Sequence, residues 1–484
     1  MSNANRHRAI KNKRVDCPNA KARDFACVSS TKWIRVMVDT CEQATSMQFS
    51  LVESRADGEF YCMIPRRRIG QMLLTAWLLP AVLGAQKFYT YVGQIGTASA
   101  LIAWGTTDSS GNTIGRASKS HGHALVTIGS RTQQTDQNWA VIDGLDPNTA
   151  YSYRVEVNNK KIGEGKIRTY PARADHLAFF VIGDFGTGEP MQYKIADVMR
   201  AEFERRRNSE NPVRFVITTG DNIYASMRIG PLALWSGDED KHWESKFFRP
   251  YERLLAEIPF YPSPGNHDGN ESENRADLAV YLDNFFFPQN KPARWYTFSF
   301  GELADFFALD STSNTESGGP QPAYARNGEQ FRWLVNALPR SQARWKIPYF
   351  HHPPFNAGPG HPASLDDLRH FTELFQRSGV KVVFNGHEHN FQFSTQDQAT
   401  GGIRYVISGA GAELRPASVI ANMERAHIAG WTGQNHFLLV EIRGETMSIT
   451  PISYEAMRIR DQNGKPIPLP VELRLTGQAP SKSK

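Results

Sequence analysis

Five short stretches of this 484-residue chain end an apolar run in side chains that could bind a metal. They carry Asp184 in GDFG, Asp221 and Tyr224 in GDNIY, Asn266 and His267 in GNHD, His351 and His352 in HHPP, and His387 and His389 in GHEH. Oxygen and imidazole donors without a thiolate suit Fe, Mn or Zn. Asp184, Asp221, Tyr224, Asn266, His351, His387 and His389 are too many ligands for one ion, and a carboxylate such as Asp221 can bridge two. The reading is a two-metal site. In an extended segment residues i and i+2 project to the same side, so His387 and His389 are expected to face one point. Each fragment alone is weak, because GD is commonly a turn and a single His is more often structural. The ordered set carries the inference.

Such a set needs strands to place it. From residue 172 to 462, apolar runs such as LAFFVIGD, VRFVITTGD, WKIPYFHHPPF and VKVVFNGHEH alternate with MQYKIADVMRAEFERRR and SLDDLRHFTELFQRSG, which have helical spacing. Buried strands alternating with helices predict a layered α/β domain whose ligands gather beyond the strand ends. Residues 87–171 read differently, as short alternating runs separated by turns, and predict a small β-sandwich with Trp104 in its core. YPARADH, residues 170–176, reads as the linker, and residues 463–484 as a C-terminal tail.

The net charge of +6 does not point to a polyanion partner. Residues 1–68 hold 13 Lys/Arg and 7 Asp/Glu, which leaves 42 of each from the totals of 55 and 49. The remainder is neutral, so no nucleic-acid partner is expected. All four cysteines, Cys17, Cys27, Cys41 and Cys62, lie in that same stretch. After it, residues 63–86 show a basic cluster, an apolar run and then Gly84 and Ala85, the layout of a secretory signal peptide too short to span a membrane comfortably. Met63 is then the expected start, residues 1–62 are upstream sequence or disordered, and the mature protein is secreted or periplasmic with no stable membrane span.

The motifs GDxG, GDxxY, GNH(D/E), HxP and GHxH occur here in the order shown by the purple acid phosphatases, a branch of the calcineurin-like metallophosphoesterases. The sequence resembles that family from about Lys87 to Ser453, with Gly186 where most metallophosphoesterases have a histidine and Tyr224 as the discriminating residue. LDPNTAYSYRV, Leu145 to Val155, resembles a fibronectin type III strand entry. The resemblance implies a multidomain chain, an all-β fibronectin III-like sandwich followed by an α/β metallophosphoesterase domain in which a β-sandwich is flanked by helices. It also implies Fe(III) bound by Asp184, Tyr224 and His389, with Asp221 bridging to a divalent Fe, Zn or Mn ion held by Asn266, His351 and His387.

HHPP offers two histidines for one ligand position. His351 follows the strand directly and is preferred, with His352 facing substrate; the exchange of the two is an open alternative. His267 is expected to contact phosphate and protonate the leaving oxygen, against the simpler reading of a His bonded to Asp268. Asn222 and Asn390 are expected to support the ligands. WSGDEDKHWESKFFRPYERLL reads as a solvated helix and loop or as a rim element, and FNAGPGHPAS as a substrate loop. Phosphate-monoester hydrolysis needs up to ~10²¹-fold acceleration, whereas general acid–base help supplies about 10² to 10⁴. Two metal ions, which activate water and neutralise phosphoryl charge, must supply most of the remainder. The leading reading is a secreted acid phosphatase acting on phosphorylated small molecules or phosphoproteins. The alternatives are a phosphodiesterase or nucleotide phosphatase with the same site, and a surface binding protein with a vestigial one.

Overall fold

The computed structural model describes residues 87–475 except 109–110, 113, 117–118, 225–227, 230–231, 234–241, 270–277, 314–321 and 359–367, and nearer the N-terminus three strands. The signal-like stretch 63–86, the rest of residues 1–62, His361 with most of its glycine-rich loop, and TGQAPSKSK lie outside these residues. The chain falls into two compact units, residues 1–84 and 85–484. In the first, Lys21–Ser29, Lys32–Thr40 and Phe49–Ser54 form an antiparallel sheet. There KWIRVMVDT carries β-branched residues at a period of two, the pattern of a strand.

The second unit opens with two small sheets. One orders Phe88–Ile95, Ser99–Asp108 and Trp139–Asp143, with Gly111–Asn112 paired to the end of the second. The other orders Lys160–Arg168, Ala150–Val157, Lys119–Ile128 and Arg131–Gln137. Trp104 is buried in their core, as expected. At the start of Ala150–Val157 the Tyr151 hydroxyl accepts the Asp146 N–H at 2.9 Å, pinning the preceding turn to the strand.

From residue 176 two larger sheets pack face to face. The first runs Phe260–Ser263, Val213–Thr219, His176–Ile182, Phe437–Arg443, Thr446–Ile452 and Val471–Arg474; its first three strands are parallel and the rest antiparallel. The second runs Tyr296–Phe300, Ala304–Ala308, Trp345–Tyr349, Val382–Asn385, Arg404–Ser408, Phe391–Ser394 and Ile428–Thr432, with its second to fifth strands parallel. Phe179 and Phe215 from the first sheet meet Phe306 from the second edge-on, at centroid distances of 5.2 and 5.1 Å. The pleat sends neighbours to opposite faces. Phe306 enters this inter-sheet core, and Phe307 enters a second core beneath Glu329–Arg340 and His370–Arg377.

The helix Pro190–Arg206 covers the first sheet with Ile195, Met199 and Phe203, four residues apart and buried. Pro190 suits its first turn, and Arg205 and Arg206 suit its last.

Three expectations need correction. The catalytic sheet does not end at 462: Val471–Arg474 adds an edge strand, because Val471 and Leu473 alternate inward and are buried. The stretch YPARADH is not a free linker, because Tyr170 is buried and its hydroxyl meets that of Tyr261 at 3.1 Å. The described part of the tryptophan-rich segment is not solvated: Trp243, Phe247, Phe248, Tyr251 and Leu254 are buried, and Phe247 and Phe248 lie edge-on to Tyr91 of the sandwich. The sandwich and the catalytic domain therefore share one core. No helix among the described residues is long and apolar enough to cross a membrane.

Candidate metal centre

All five motifs lie just beyond the C-terminal ends of parallel strands, three in the first sheet and two in the second. Backbone hydrogen bonds lace their loops together. Asp184 N–H reaches Gly220 O at 3.1 Å, Gly386 N–H reaches His351 O at 2.9 Å, and Gly411 N–H reaches Gly183 O at 3.0 Å. Asp184, Asp221 and His387 have positive φ of 57°, 49° and 69°, a left-handed region uncommon for non-glycine residues. Each follows a glycine. At Gly220, φ is +89° and a Cβ would meet the His351 ring at 2.5 Å; at Gly386 it would meet Asp184 Oδ2 at 2.6 Å. The backbone approaches the ligand atoms too closely for any side chain.

The seven ligand candidates form two adjoining groups. In one, the Tyr224 hydroxyl lies 3.3 Å from both Asp184 Oδ1 and His389 Nε2, and His389 Nε2 is 3.3 Å from Asp184 Oδ1. Potential ligand atoms of Asp184, Asp221 and His389 fall within 4.8 Å of one another. In the other, Asn266 Oδ1 lies 3.0 Å from His351 Nε2 and 3.1 Å from His387 Nδ1, which are 3.1 Å apart. Asp221 joins the groups, with Oδ2 3.4 Å from His351 Nε2. His387 and His389 therefore do not face one point: the strand ends at Asn385, and the left-handed turn at His387 sends the two rings to different groups.

His351 and His352 are both brought in, since His351, His352 and His387 form a second set within 4.8 Å. Their anchors differ. His351 Nδ1 is 2.8 Å from the Thr219 carbonyl, an acceptor only, so Nδ1 carries a proton and Nε2 is turned toward Asn266. His352 Nδ1 is 2.9 Å from Ser311 Oγ, and its ring lies 4.3 Å from that of His387. The His267 ring lies 4.6 Å from that of Tyr224, tilted by 41°, and the His267 backbone N–H donates to Asp221 Oδ1 at 2.9 Å. The Asp268 carboxylate accepts from Gly265 N–H at 2.8 Å and from Asn222 Nδ2 at 2.9 Å.

Electrostatics test whether these residues fit a cation. Burial pushes the Asp184 carboxyl up against the pull of His389 and His351. Burial opposes ionisation of Asp221 too, but His351 and His267 hold it well below the carboxylate range. Against burial, Asp221 draws the His351 imidazole up to about 10. Burial and the nearby carboxylates push the Tyr224 phenol well above its ordinary value. A protonated His351 thus offsets the Asp221 charge, while burial favours the neutral forms of Asp184 and Tyr224. Asn266 Oδ1, His351 Nε2 and His387 Nδ1 converge within 3.1 Å of one another, and a cation that displaced the His351 proton would find in them a donor set that fits metal ions.

Several contributors were not read from the sequence. A backbone carbonyl such as Thr219 O has no residue signature. Ser311 did have one, because ADFFALDST is another strand ending in polar residues. Asn222 binds Ser263 O and Asp268 and so ties loops together. Asn390 and Asn356 donate to the buried Glu388 carboxylate at 3.4 and 3.2 Å, so the Glu of GHEH belongs to a supporting network.

The domain built this way has counterparts. Residues 177–391 match the family model for calcineurin-like phosphoesterases. Over that stretch the chain is similar to calcineurin-like metallophosphoesterases, and it carries candidate metal-ligand groups. An uncharacterized Mycobacterium tuberculosis protein is 24% identical over 332 residues, 62% of this chain and 60% of its own length. Purple acid phosphatase 3 of Arabidopsis thaliana is 27% identical over 263 residues, 50% of this chain and 65% of its own. The chain thus spans less than two thirds of either relative. The purple acid phosphatase structure from yellow lupin seeds shares the fold, with a TM-score of 0.57, 13% identity, and coverage of 92% of this chain and 79% of that one.

Proposed function

We propose that this protein is a metal-dependent acid phosphatase of the purple acid phosphatase type, hydrolysing phosphate monoesters of small molecules or phosphoproteins. The observation that carries this reading is the Tyr224 hydroxyl, 3.3 Å from Asp184 Oδ1 and from His389 Nε2. A phenol placed there suits a trivalent ion, and Asp184, Tyr224 and His389 would hold Fe(III). Asp221 would bridge to a divalent Fe, Zn or Mn ion at Asn266, His351 and His387. Ions bound there supply Lewis acidity toward the phosphoryl oxygens and an activated water.

The chain's own groups do the rest. Thr219 fixes the His351 tautomer, and Ser311 orients His352 toward the phosphate. His267, held over Tyr224, donates its imidazolium proton to the leaving ester oxygen as the P–O bond breaks. The order of the small sheets and the Tyr151 corner support reading residues 87–171 as fibronectin III-like. The basic, apolar and small-residue layout of residues 63–86 supports export of the catalytic domain. Metal analysis of the purified protein tests the proposal: two ions per chain, with a visible phenolate-to-iron band that Tyr224→Phe abolishes. A colourless, metal-free protein would contradict it.

A further inference from the structure

We propose that the cleft between the sandwich and the catalytic domain binds a small organic anion, its carboxylate or phosphate head on Arg214 and its apolar body against Ile95, Phe203 and Ile258. The cavity holds about 260 Å³ and takes its walls from both domains, which belong to one compact unit. Arg214 is only 9% exposed. Its Nη2 donates to Arg168 O at 3.2 Å and Thr169 O at 2.7 Å, and its guanidinium lies over Tyr170 and Phe300. It has no carboxylate partner among the described residues. A buried charge is costly unless paired, and the comparably buried Arg294 has Asp310.

The acid nearest to hand is already engaged. Glu257, which also lines the cavity, pairs with Arg207 and with Arg253. Lys166 and Arg168 at the rim form no ion pair among the described residues. The lining therefore carries four cations, Lys166, Arg168, Arg207 and Arg214, against one carboxylate. Such a cleft draws anions, and a guanidinium fork matches a carboxylate or phosphate. Ile95, Phe203 and Ile258 are each at least 95% buried and give the apolar wall. A volume just under the usual range of about 300–1,000 Å³ for ligand pockets limits the guest to about one ring.

Calorimetric titration of the full, metal-loaded chain with benzoate and with phenylphosphonate tests the proposal and distinguishes the two heads. Ile258→Trp fills the apolar end, and Lys166→Glu reverses charge on the exposed rim without touching the core. We expect saturable binding of at least one probe, weakened tenfold or more by each substitution. The site is overturned if neither probe binds, or if affinity is the same in the parent, Ile258→Trp and Lys166→Glu proteins.

Discussion

His351 donates Nδ1–H to the Thr219 carbonyl at 2.8 Å, which turns Nε2 toward the ligand cluster, 3.0 Å from Asn266 Oδ1. The adjacent His352 is held by Ser311 and lacks that anchor. His351→Ala should lower occupancy of the divalent ion at least tenfold, while His352→Ala should keep both ions and lower kcat. Metal content of the two variants checks this; loss of an ion from His352→Ala would exchange their roles.

Gly386 shows how the backbone sets the site. A Cβ there would meet Thr219 O at 2.5 Å and Asp184 Oδ2 at 2.6 Å, so Gly386→Ala must displace Asp184 or its own loop. We expect a 10- to 100-fold loss of metal affinity in a folded protein, the range typical of outer-shell changes. Circular dichroism and metal titration together check it; unchanged affinity would mean that the loops yield easily.

What was legible in the sequence follows from this geometry. The polar strand ends were visible because each interrupts an apolar run, and the Ile195–Met199–Phe203 spacing within MQYKIADVMRAEFERRR announced its helix. The separation of His387 from His389 was not legible, since it depends on one left-handed residue beyond Asn385. Nor was the burial of Trp243 and Phe247: their segment is locally charged, and only the partner surface around Tyr91 makes it a core.

His436 is buried, with Nδ1 2.9 Å from Gln434 O, and burial pulls it down to about 4. The unfolded chain, protonating near pH 6.5, binds more protons than the folded one between pH 6.5 and 4. Its contribution is thus intact above pH 6.5 and lost as the pH falls toward 4, by up to about 3 kcal/mol. Urea unfolding across that window should show a shallower slope in His436→Gln; an unaltered slope would remove His436 as the cause.

Arg294 and Asp310 form a buried pair, Nε to Oδ2 at 2.6 Å, behind the Ser311 loop. Asp310→Ala strands a guanidinium in the core and should cost about 3–5 kcal/mol. The melting temperature reports it; a loss under about 1 kcal/mol would show that other groups neutralise Arg294.

The most direct test compares kcat/KM at mildly acidic pH for an aryl phosphate monoester and its matched diester, using metal-loaded protein and Asp221→Asn, which removes charge from the residue joining the two ligand groups. The account predicts a strong monoester preference that falls by 10²-fold or more in the variant, about 2.7 kcal/mol of transition-state stabilisation. A diester preference, or equal turnover in both proteins, would contradict it.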